Sequence, residues 1–271
     1  MKLDRVERVS VFAAALVVIV LIAVTGGQSS QTTDSEEAIS LDSLYSPPEN
    51  FSELSELIEE TVFEISCGEN SYGSSWSILI TDLDGREQSY LVTNYHVIDE
   101  CLNGKKIFAS NETFSTFPLE VVAYDGTFWS EKDEHAESFV DLALLMSPKK
   151  LPGLTLSSSR PKLGHWVMAA GYPSDSGRSP IKSLTTGTVT GIDSFGLVMT
   201  DATINKGNSG GPLINSKGQV FGTIFATENL KKFENMGFAQ PVEFHCEIVI
   251  NCIDRSSFSD PSIPANFKFE K

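Results

Sequence analysis

Short apolar segments, broken by glycine, proline, serine and aspartate, repeat along the chain from residue 61 to residue 240. Some alternate apolar and polar residues, and others are apolar throughout. Both patterns at this length are typical of β-strands. The segments are residues 76–80, 90–93, 139–145, 166–173, 184–192 and 220–225. Strands at such short spacing predict an all-β sandwich or closed barrels, with helices confined to the two ends of the chain.

The N-terminal part of the chain follows a different pattern. Lys2, Arg5 and Arg8 lie in a basic tail, residues 1–8, and an uncharged run follows over residues 9–25. Its apolar stretch of about 16 residues is slightly long for a signal-peptide core and slightly short for a transmembrane helix. No Ala-x-Ala cleavage signal follows, so the pattern favours an uncleaved anchor over a cleaved signal, which would give a secreted protein. The basic flank keeps the N-terminus cytoplasmic in both cases.

Residues 26–50 connect this segment to the repeated strands. Their first part is rich in glycine, glutamine, serine and threonine and has no periodic apolar pattern. Such a segment cannot bury enough surface to order itself, so we expect a flexible linker. Residues 52–60 then predict a short helix, with Ser52 as the N-cap and with Leu54, Leu57 and Ile58 on one face.

Charge and cysteine content exclude several classes of partner. The 271 residues carry a formal net charge of −16, which repels nucleic-acid phosphates and anionic membrane surfaces. We therefore expect no nucleic acid as partner, and membrane contact only through the N-terminal segment. The four cysteines, Cys67, Cys101, Cys246 and Cys252, contain no C-x-x-C pair, which argues against a zinc site, and no metal or other cofactor is predicted. Outside the cytoplasm they allow disulfides, in three connectivities.

Ser209 lies in the segment GNSGGP, residues 207–212, where almost no side chain surrounds its hydroxyl. Glycine is retained where φ is positive or where another group must approach the backbone closely. One interpretation is a tight turn between two strands. The other is a nucleophile loop, in which backbone N–H groups point at a substrate oxygen and no side chain blocks them.

A serine nucleophile needs a base, and the base needs a third group that holds its tautomer. Of the four histidines, only His96 lies beside an apolar strand, at the end of a β-rich run in the segment TNYHVI. His135 lies in a charged loop, His165 at a predicted turn, and His245 next to Cys246. His96 is therefore the candidate base.

Asp141 is the candidate for the third group. It begins the apolar run DLALL, although aspartate is disfavoured within strands. A buried carboxylate is costly unless it is paired, and an imidazole N–H would satisfy it. The alternative is an aspartate on an edge strand that faces water. Asp201 is the rival carboxylate, and we expect it to be structural.

The segments TNYHVI, DLALL and GNSGGPL carry these three residues in this order. They resemble the segments around the catalytic triad of trypsin-like serine proteases, most closely the HtrA/Deg-type branch. Residues 200–213 are similar to the serine segment of that branch, and residues 237–241 to the strand that closes its second barrel. The resemblance covers about residues 52–245.

This resemblance implies a serine protease domain over residues 51–245. Its fold would be two six-stranded antiparallel β-barrels, at about 61–148 and 160–243, with short N- and C-terminal helices. Residues 246–271 would form a C-terminal extension. The catalytic groups would lie in the cleft between the barrels.

The resemblance also implies a role for each candidate residue. Ser209 would attack the carbonyl of a polypeptide substrate, His96 would take its proton, and Asp141 would orient His96. The N–H groups of Gly207 and Ser209 would stabilise the oxyanion. The implied function is that of a membrane-anchored serine endopeptidase outside the cytoplasm.

Two departures from the family's pattern concern assembly and activation. Too little chain follows Pro241 for a PDZ domain, so assembly through such domains is not carried over, and the oligomeric state stays open. Asn208 stands where digestive-type enzymes have an aspartate that receives a freed N-terminus. Activation by N-terminal cleavage is therefore not expected. Activity would instead depend on whether the loop of residues 174–183 adopts an ordered conformation.

A third departure concerns substrate selection. Thr203 stands where enzymes that select basic residues carry an aspartate. Ile204 and Phe225 would narrow the same pocket. Together they predict small to medium apolar side chains at P1, the substrate residue whose carbonyl is attacked.

The implied fold brings Cys67 and Cys101 together. Cys246 and Cys252 would then pair, which requires a break in any helix between them. Two functional alternatives stay open: a pseudoprotease or chaperone-like peptide-binding protein whose oxyanion loop is not assembled, and an esterase that uses the same residues.

Overall fold

A computed structural model of the chain describes residues 45–68, 71–81, 86–126, 140–157, 159–174, 181–193, 196–225 and 236–241. These residues belong to one compact unit of the chain, Ile39–Lys271. The predicted anchor, the predicted C-terminal helix and extension, Cys246, Cys252, His135 and His245 lie outside the described residues. None of the helices that the structure describes is long and apolar enough to cross a membrane.

Twelve strands within the described residues form two closed antiparallel barrels, which confirms the predicted all-β class and the two six-stranded barrels. In the first barrel the strands follow the order β1-β2-β3-β6-β5-β4. Its strands are β1 (Val62–Cys67), β2 (Ser71–Thr81), β3 (Glu87–Thr93), β4 (Ile107–Ser110), β5 (Phe117–Asp125) and β6 (Leu142–Met146).

The second barrel repeats this arrangement, with the strand order β7-β8-β9-β12-β11-β10. Its strands are β7 (Trp166–Gly171), β8 (Ser183–Ile192), β9 (Val198–Thr200), β10 (Pro212–Ile214), β11 (Val220–Phe225) and β12 (Gly237–Pro241). β10, β11 and β12 are buried along their whole length, which explains why their sequences are mainly apolar and do not alternate with exposed polar residues.

Apolar side chains fill both barrels and the space between them. Phe63 and Leu145 belong to the core of the first barrel, and Phe221 belongs to that of the second. A third cluster contains Trp76 of β2 and Met168 of β7, so it joins the two barrels. Burying aromatic and branched residues at this depth is the main force that holds the barrels together.

The predicted N-terminal helix is α1 (Phe51–Thr61), and its N-cap is Asn50 rather than Ser52. Asn50 Oδ1 accepts hydrogen bonds from the N–H groups of Ser52 and of the residue after it, over 3.1 and 3.4 Å. An asparagine side chain satisfies these N–H groups as well as a serine does. Leu54 and Ile58 are buried in the cluster between the barrels, as their spacing predicts. Leu57, expected on the same face, is 37% exposed, because it lies about 100° around the helix from Ile58.

Tyr45 differs from the flexible linker expected over residues 26–50, because it is packed onto the second barrel. Its side chain is 3% exposed, and its ring stacks on His165 with ring centroids 4.6 Å apart. Its carbonyl accepts from the Trp166 N–H over 2.7 Å. A single tyrosine supplies enough apolar surface to fix this part of the chain, and its ring also holds that of His165.

A helical turn in the middle of the chain corrects the expectation that helices are confined to the ends. α2 (Tyr95–Ile98) follows β3, and a 3₁₀ turn (Asp99–Cys101) continues it. Val97 and Ile98 are buried, which explains why this turn is as apolar as a strand. His96 therefore lies on a helical turn rather than at a strand end. Asp141 in turn precedes β6 instead of lying inside it.

A disulfide joins Cys67, at the end of β1, to Cys101, at the end of the 3₁₀ turn, with their Cα atoms 5.7 Å apart. The bond fixes the end of the helical segment that carries His96 against the first barrel. The two cysteines are 34 positions apart in the sequence, so the bond closes a long loop of the chain.

We expect that replacing both cysteines, in Cys67→Ser with Cys101→Ser, lowers the free energy of unfolding by about 2–4 kcal/mol, because the unfolded chain loses a covalent constraint. Denaturant unfolding of the oxidised wild type and the double variant measures the difference. Wild type treated with a reductant is the matched control and should unfold like the variant. Free thiols on both cysteines in the untreated protein would contradict the assignment.

Candidate active site

His96 and Asp141 are in direct contact. Nδ1 of His96 lies 2.6 Å from Oδ2 of Asp141, and the His96 backbone N–H donates to Oδ1 over 3.0 Å. A carboxylate can only accept hydrogen bonds, so this pairing assigns the ring proton to Nδ1 and leaves Nε2 able to accept one. The His96 side chain is 25% exposed, whereas that of Asp141 is fully buried.

Residues from both barrels hold the backbone of Asp141. Its carbonyl accepts from Nδ2 of Asn94 over 2.7 Å, within the first barrel. Its N–H donates to Oε1 of Gln240, a fully buried residue of β12 in the second barrel, over 3.0 Å. The position of the carboxylate that holds His96 therefore depends on the second barrel as well as on the first.

Ser209 belongs to the loop before β10 and packs against β2 of the first barrel. The Ser74 N–H donates to the Ser209 carbonyl over 2.7 Å. A Cβ on Gly73 would lie 2.6 Å from Cγ2 of Val97 and 3.1 Å from the Ser209 carbonyl oxygen. Val97 follows His96 in the chain, so the segments that carry His96 and Ser209 meet at Gly73.

The glycines on either side of Ser209 are required for two separate reasons. Gly207 and Gly210 have φ values of +96° and +87°, a region that other residues rarely adopt. A Cβ on Gly210 would also collide with the Ser74 carbonyl oxygen and with Oγ1 of Thr93. The loop therefore makes both a left-handed turn and a close approach to the first barrel.

The residues of the predicted pocket lie on two segments of the second barrel, Thr203 and Ile204 after β9 and Phe225 at the end of β11. Thr203 is exposed, Ile204 is half-buried and Phe225 is buried. Ile204 fills the space above Gly237, because a Cβ there would collide with its Cγ1. Phe225 packs against Phe238, which follows Gly237 in β12, and their ring centroids are 6.1 Å apart. The apolar surface of Ile204 and the ring of Phe225 thus border the same short strand.

A cluster of polar side chains links the two barrels beside the loop of Ser209. The Tyr172 hydroxyl donates to Oε2 of Glu112 over 2.8 Å, and Nζ of Lys182 donates to the same oxygen over 3.0 Å. Burial and the carboxylate of Glu112 raise the pKa of the Tyr172 hydroxyl, so it stays a donor. Burial alone would raise the pKa of Glu112, but the hydrogen bonds from Lys182 and Tyr172 lower it below its usual value.

Tyr95, next to His96, is also electrostatically perturbed. Burial, and after it the negative charges of Asp99 and Asp141 and the ring of Tyr124, raise the pKa of its hydroxyl. Its ring lies 5.5 Å from that of Tyr124.

The other residues weighed from the sequence occupy structural positions. His165 stacks on Tyr45. Asp201 accepts from the N–H of Thr188 over 2.5 Å and from its hydroxyl over 3.3 Å, which bears out its structural interpretation. Among the residues that the structure describes, no three metal-binding side chains cluster.

Sequence reasoning missed Ser74 and Gln240. Ser74 is one of three serines in the segment GSSWSI, and nothing in its spacing distinguishes it from Ser75 or Ser77. Gln240 gave a usable signal, because it is a lone polar residue in the strand GFAQP, which is otherwise apolar. A buried amide in such a strand needs a hydrogen-bonding partner, and the sequence does not reveal which one.

A comparison with family models matches residues 77–222 to the trypsin-like peptidase domain. The match includes the segments of His96 and Asp141 and the loop of Ser209. It covers more than half of the chain.

Named relatives belong to one branch of this family. The chain is 29% identical over 191 residues to the serine protease Do-like HtrA of Bacillus subtilis, covering 65% of this chain and 38% of that protein. It is 31% identical over 170 residues to a probable periplasmic serine endoprotease, DegP-like, of Chlamydia trachomatis, covering 57% and 30%. It is 28% identical over 176 residues to the serine endoprotease DegS of Escherichia coli, covering 60% and 45%. The chain thus spans at most about half the length of these relatives.

A solved structure has the same fold. The crystal structure of the serine endoprotease from Yersinia pestis matches with a TM-score of 0.56 at 24% identity, covering 74% of this chain and 66% of that one. At this identity the likeness supports the two-barrel fold alone. The family match and the named relatives together confirm the resemblance found in the sequence, and the chain belongs to the trypsin-like peptidase domain family, in its HtrA-type branch.

Proposed function

We propose that this chain is a serine endopeptidase that uses Ser209 as nucleophile, His96 as general base and Asp141 as the group that orients His96. The observation that carries this proposal is the contact of 2.6 Å between His96 and the fully buried carboxylate of Asp141. The meeting of the His96 and Ser209 segments at Gly73 supports it. The names of the relatives, serine protease and serine endoprotease, point to the same reaction.

The reaction follows from these positions. Ser209 Oγ bonds to the carbonyl carbon of a peptide while its proton moves to Nε2 of His96. The tetrahedral intermediate then breaks its C–N bond, and the same proton passes from His96 to the leaving amine. Water attacks the resulting acyl-enzyme, gives a proton to His96, and the proton returns to Ser209 as the acid is released. Asp141 remains a carboxylate and stabilises the imidazolium in both halves of the reaction.

The oxyanion of the tetrahedral intermediate would be stabilised by the N–H groups of Gly207 and Ser209. Within the described residues the Gly207 N–H has no hydrogen-bond acceptor, whereas the N–H of Asn208 is used by the Asn205 carbonyl over 3.0 Å. A donor without a protein acceptor beside the nucleophile is what an oxyanion site needs. This observation favours the endopeptidase over a pseudoprotease whose loop is not assembled.

We also propose that the chain is held in a membrane by residues 9–25, with the protease domain outside the cytoplasm. The apolar run and its basic flank support the anchor. The disulfide between Cys67 and Cys101 supports an oxidising compartment. One of the relatives is described as periplasmic.

Removing the proposed nucleophile or base should abolish turnover without unfolding the protein. We expect Ser209→Ala and His96→Ala to lower kcat for a peptide substrate by about 10⁶-fold, because the members of such a unit act together. Steady-state kinetics and a thermal unfolding curve of each variant measure both effects.

His165→Ala is the matched control for His96→Ala, because His165 packs on Tyr45 and is outside the proposed machinery. It should leave kcat within about twofold of wild type, since surface or packing changes away from the reacting groups do not alter transition-state binding. Peptide cleavage by purified Ser209→Ala at the wild-type rate would show that the assignment is wrong.

The pocket predicts small to medium apolar side chains at P1. As the family resemblance implies, Ile204 and Phe225 would border this pocket, and Thr203 supplies no carboxylate to pair with lysine or arginine. We expect Ile204→Ala to shift the preference of a profiled peptide library towards larger apolar P1 residues by about tenfold or more, the usual effect of a few methylene groups in a pocket. A preference of the wild type for basic P1 residues would contradict the proposal.

The anchor proposal has its own test. The full chain expressed in a bacterium should fractionate with membranes, resist extraction with alkaline carbonate and be released by detergent, since a spanning helix inserts almost irreversibly. A shortened, soluble product that lacks residues 1–25 would show that the segment is cleaved.

A further inference from the structure

Three consecutive peptide groups around the nucleophile are each held through their carbonyl oxygens. The Lys206 carbonyl accepts from the Ser174 N–H over 3.0 Å, and the Asn208 carbonyl accepts from the Gly211 N–H over 3.0 Å. Between them, the Gly207 carbonyl accepts from Oγ of Ser74 over 2.6 Å. A planar trans peptide points its N–H away from its carbonyl, so a held carbonyl also fixes the direction of the N–H.

The middle peptide is the only one of the three whose carbonyl is held by the other barrel. Ser74 lies in β2 of the first barrel, and Gly207 lies in the loop before β10 of the second. The peptides on either side of it carry the N–H groups of Gly207 and Ser209. Their spacing and mutual orientation therefore depend on the peptide that Ser74 holds.

Ser74 uses every polar atom that it has. Its hydroxyl donates to the Gly207 carbonyl and accepts from the Tyr172 N–H over 2.7 Å. Its N–H donates to the Ser209 carbonyl over 2.7 Å, and its own carbonyl accepts from Oγ1 of Thr93 over 2.7 Å. The residue is fully buried.

Gly171 closes the site around this hydroxyl. A Cβ on Gly171 would lie 2.7 Å from Oγ of Ser74, which leaves little space for another group to take its place. Without the hydroxyl, a buried carbonyl and a buried N–H would both lose their partner, a situation that proteins avoid. The loop would then relax towards other partners for the Gly207 carbonyl.

We propose that Ser74 is a positioning residue for the two oxyanion donors, the N–H groups of Gly207 and Ser209. The proposal rests on the proposed function, because it assigns Ser74 a role in that reaction. Ser74 does not touch the reacting atoms; it acts on them through the Gly207 carbonyl. The same hydroxyl ties the end of β7 to the loop, so the two barrels contribute jointly to the geometry of the oxyanion site.

Ser77 provides a matched control on the same strand. It is also fully buried, and its hydroxyl donates to the carbonyls of Pro152 and Thr61, over 2.6 and 3.2 Å. Neither acceptor belongs to the loop of Ser209. Ser77→Ala therefore removes an equally buried hydroxyl and leaves the proposed oxyanion site untouched.

The experiment compares Ser74→Ala, Ser77→Ala and wild type by peptide hydrolysis. We expect Ser74→Ala to lower kcat by about 10–100-fold with KM within about twofold, because an oxyanion donor acts on the transition state and a displaced donor loses part of its effect. Ser77→Ala should keep kcat within about twofold of wild type. Thermal unfolding of each variant sets a temperature at which all of them are folded. Equal kcat values for the two variants, or an effect of Ser74→Ala on KM alone, would overturn the proposal.

Hydrogen exchange read by mass spectrometry supplies a second readout that needs no activity. Peptides that cover residues 205–213 should exchange about tenfold faster in Ser74→Ala and unchanged in Ser77→Ala, because only the first change releases the loop. Unchanged exchange in Ser74→Ala would also overturn the proposal. A further outcome is a wild type that shows no turnover while Ser74→Ala still speeds hydrogen exchange in residues 205–213. That result would contradict the proposed function but support the positioning role of Ser74. If Ser74→Ala does not fold, Ser74→Cys, which keeps a weaker donor, replaces it in both measurements.

Discussion

The buried carboxylate of Asp141 is the constraint around which the candidate site is organised. A carboxylate withdrawn from water is tolerated only when hydrogen bonds replace its hydration. Here the backbone N–H and the ring of His96 supply them, over 3.0 and 2.6 Å. The requirement therefore fixes both the position of α2 and the tautomer of His96. A histidine held in this way offers its other nitrogen to a hydroxyl proton, which is the property that the proposed reaction needs.

The two barrels are joined by polar contacts that run in both directions. From the first barrel, the Ser74 hydroxyl donates to the Gly207 carbonyl over 2.6 Å. The indole N–H of Trp76 donates to Oγ1 of Thr223 over 3.1 Å. From the second barrel, Oε1 of Gln240 accepts a hydrogen bond from the Asp141 backbone N–H. Thr223 and Gln240 are cross-strand partners in β11 and β12, so two of these three contacts meet one strand pair. Because the base and the nucleophile come from different barrels, these contacts couple the geometry of the proposed triad to the packing between the barrels.

The candidate site residues and the all-β class could be predicted from local features of the sequence. The three glycines around Ser209 and the carboxylate of Asp141 within an apolar run were anomalies in the sequence, and such anomalies are expected where a functional demand overrides local preference. The apolar strands gave the all-β class. Their closure into two barrels came from the family resemblance, because strand pairing is set by contacts far apart in the chain. The contacts of Ser74, Gln240 and Tyr45 could not be predicted, since each depends on a partner about 100 residues or more away in sequence, and nothing in the sequence identifies that partner.

The most direct test of the central claim is the reaction of the protein with a fluorophosphonate, which labels only serines that a base has activated. Intact-mass analysis of wild type, Ser209→Ala and His96→Ala after the same exposure reads the outcome. A single adduct on wild type that is lost in both variants is the predicted result, and it would mean that Ser209 and His96 act as one nucleophilic unit. An unlabelled, folded wild type, or an adduct that persists in Ser209→Ala, would contradict the account.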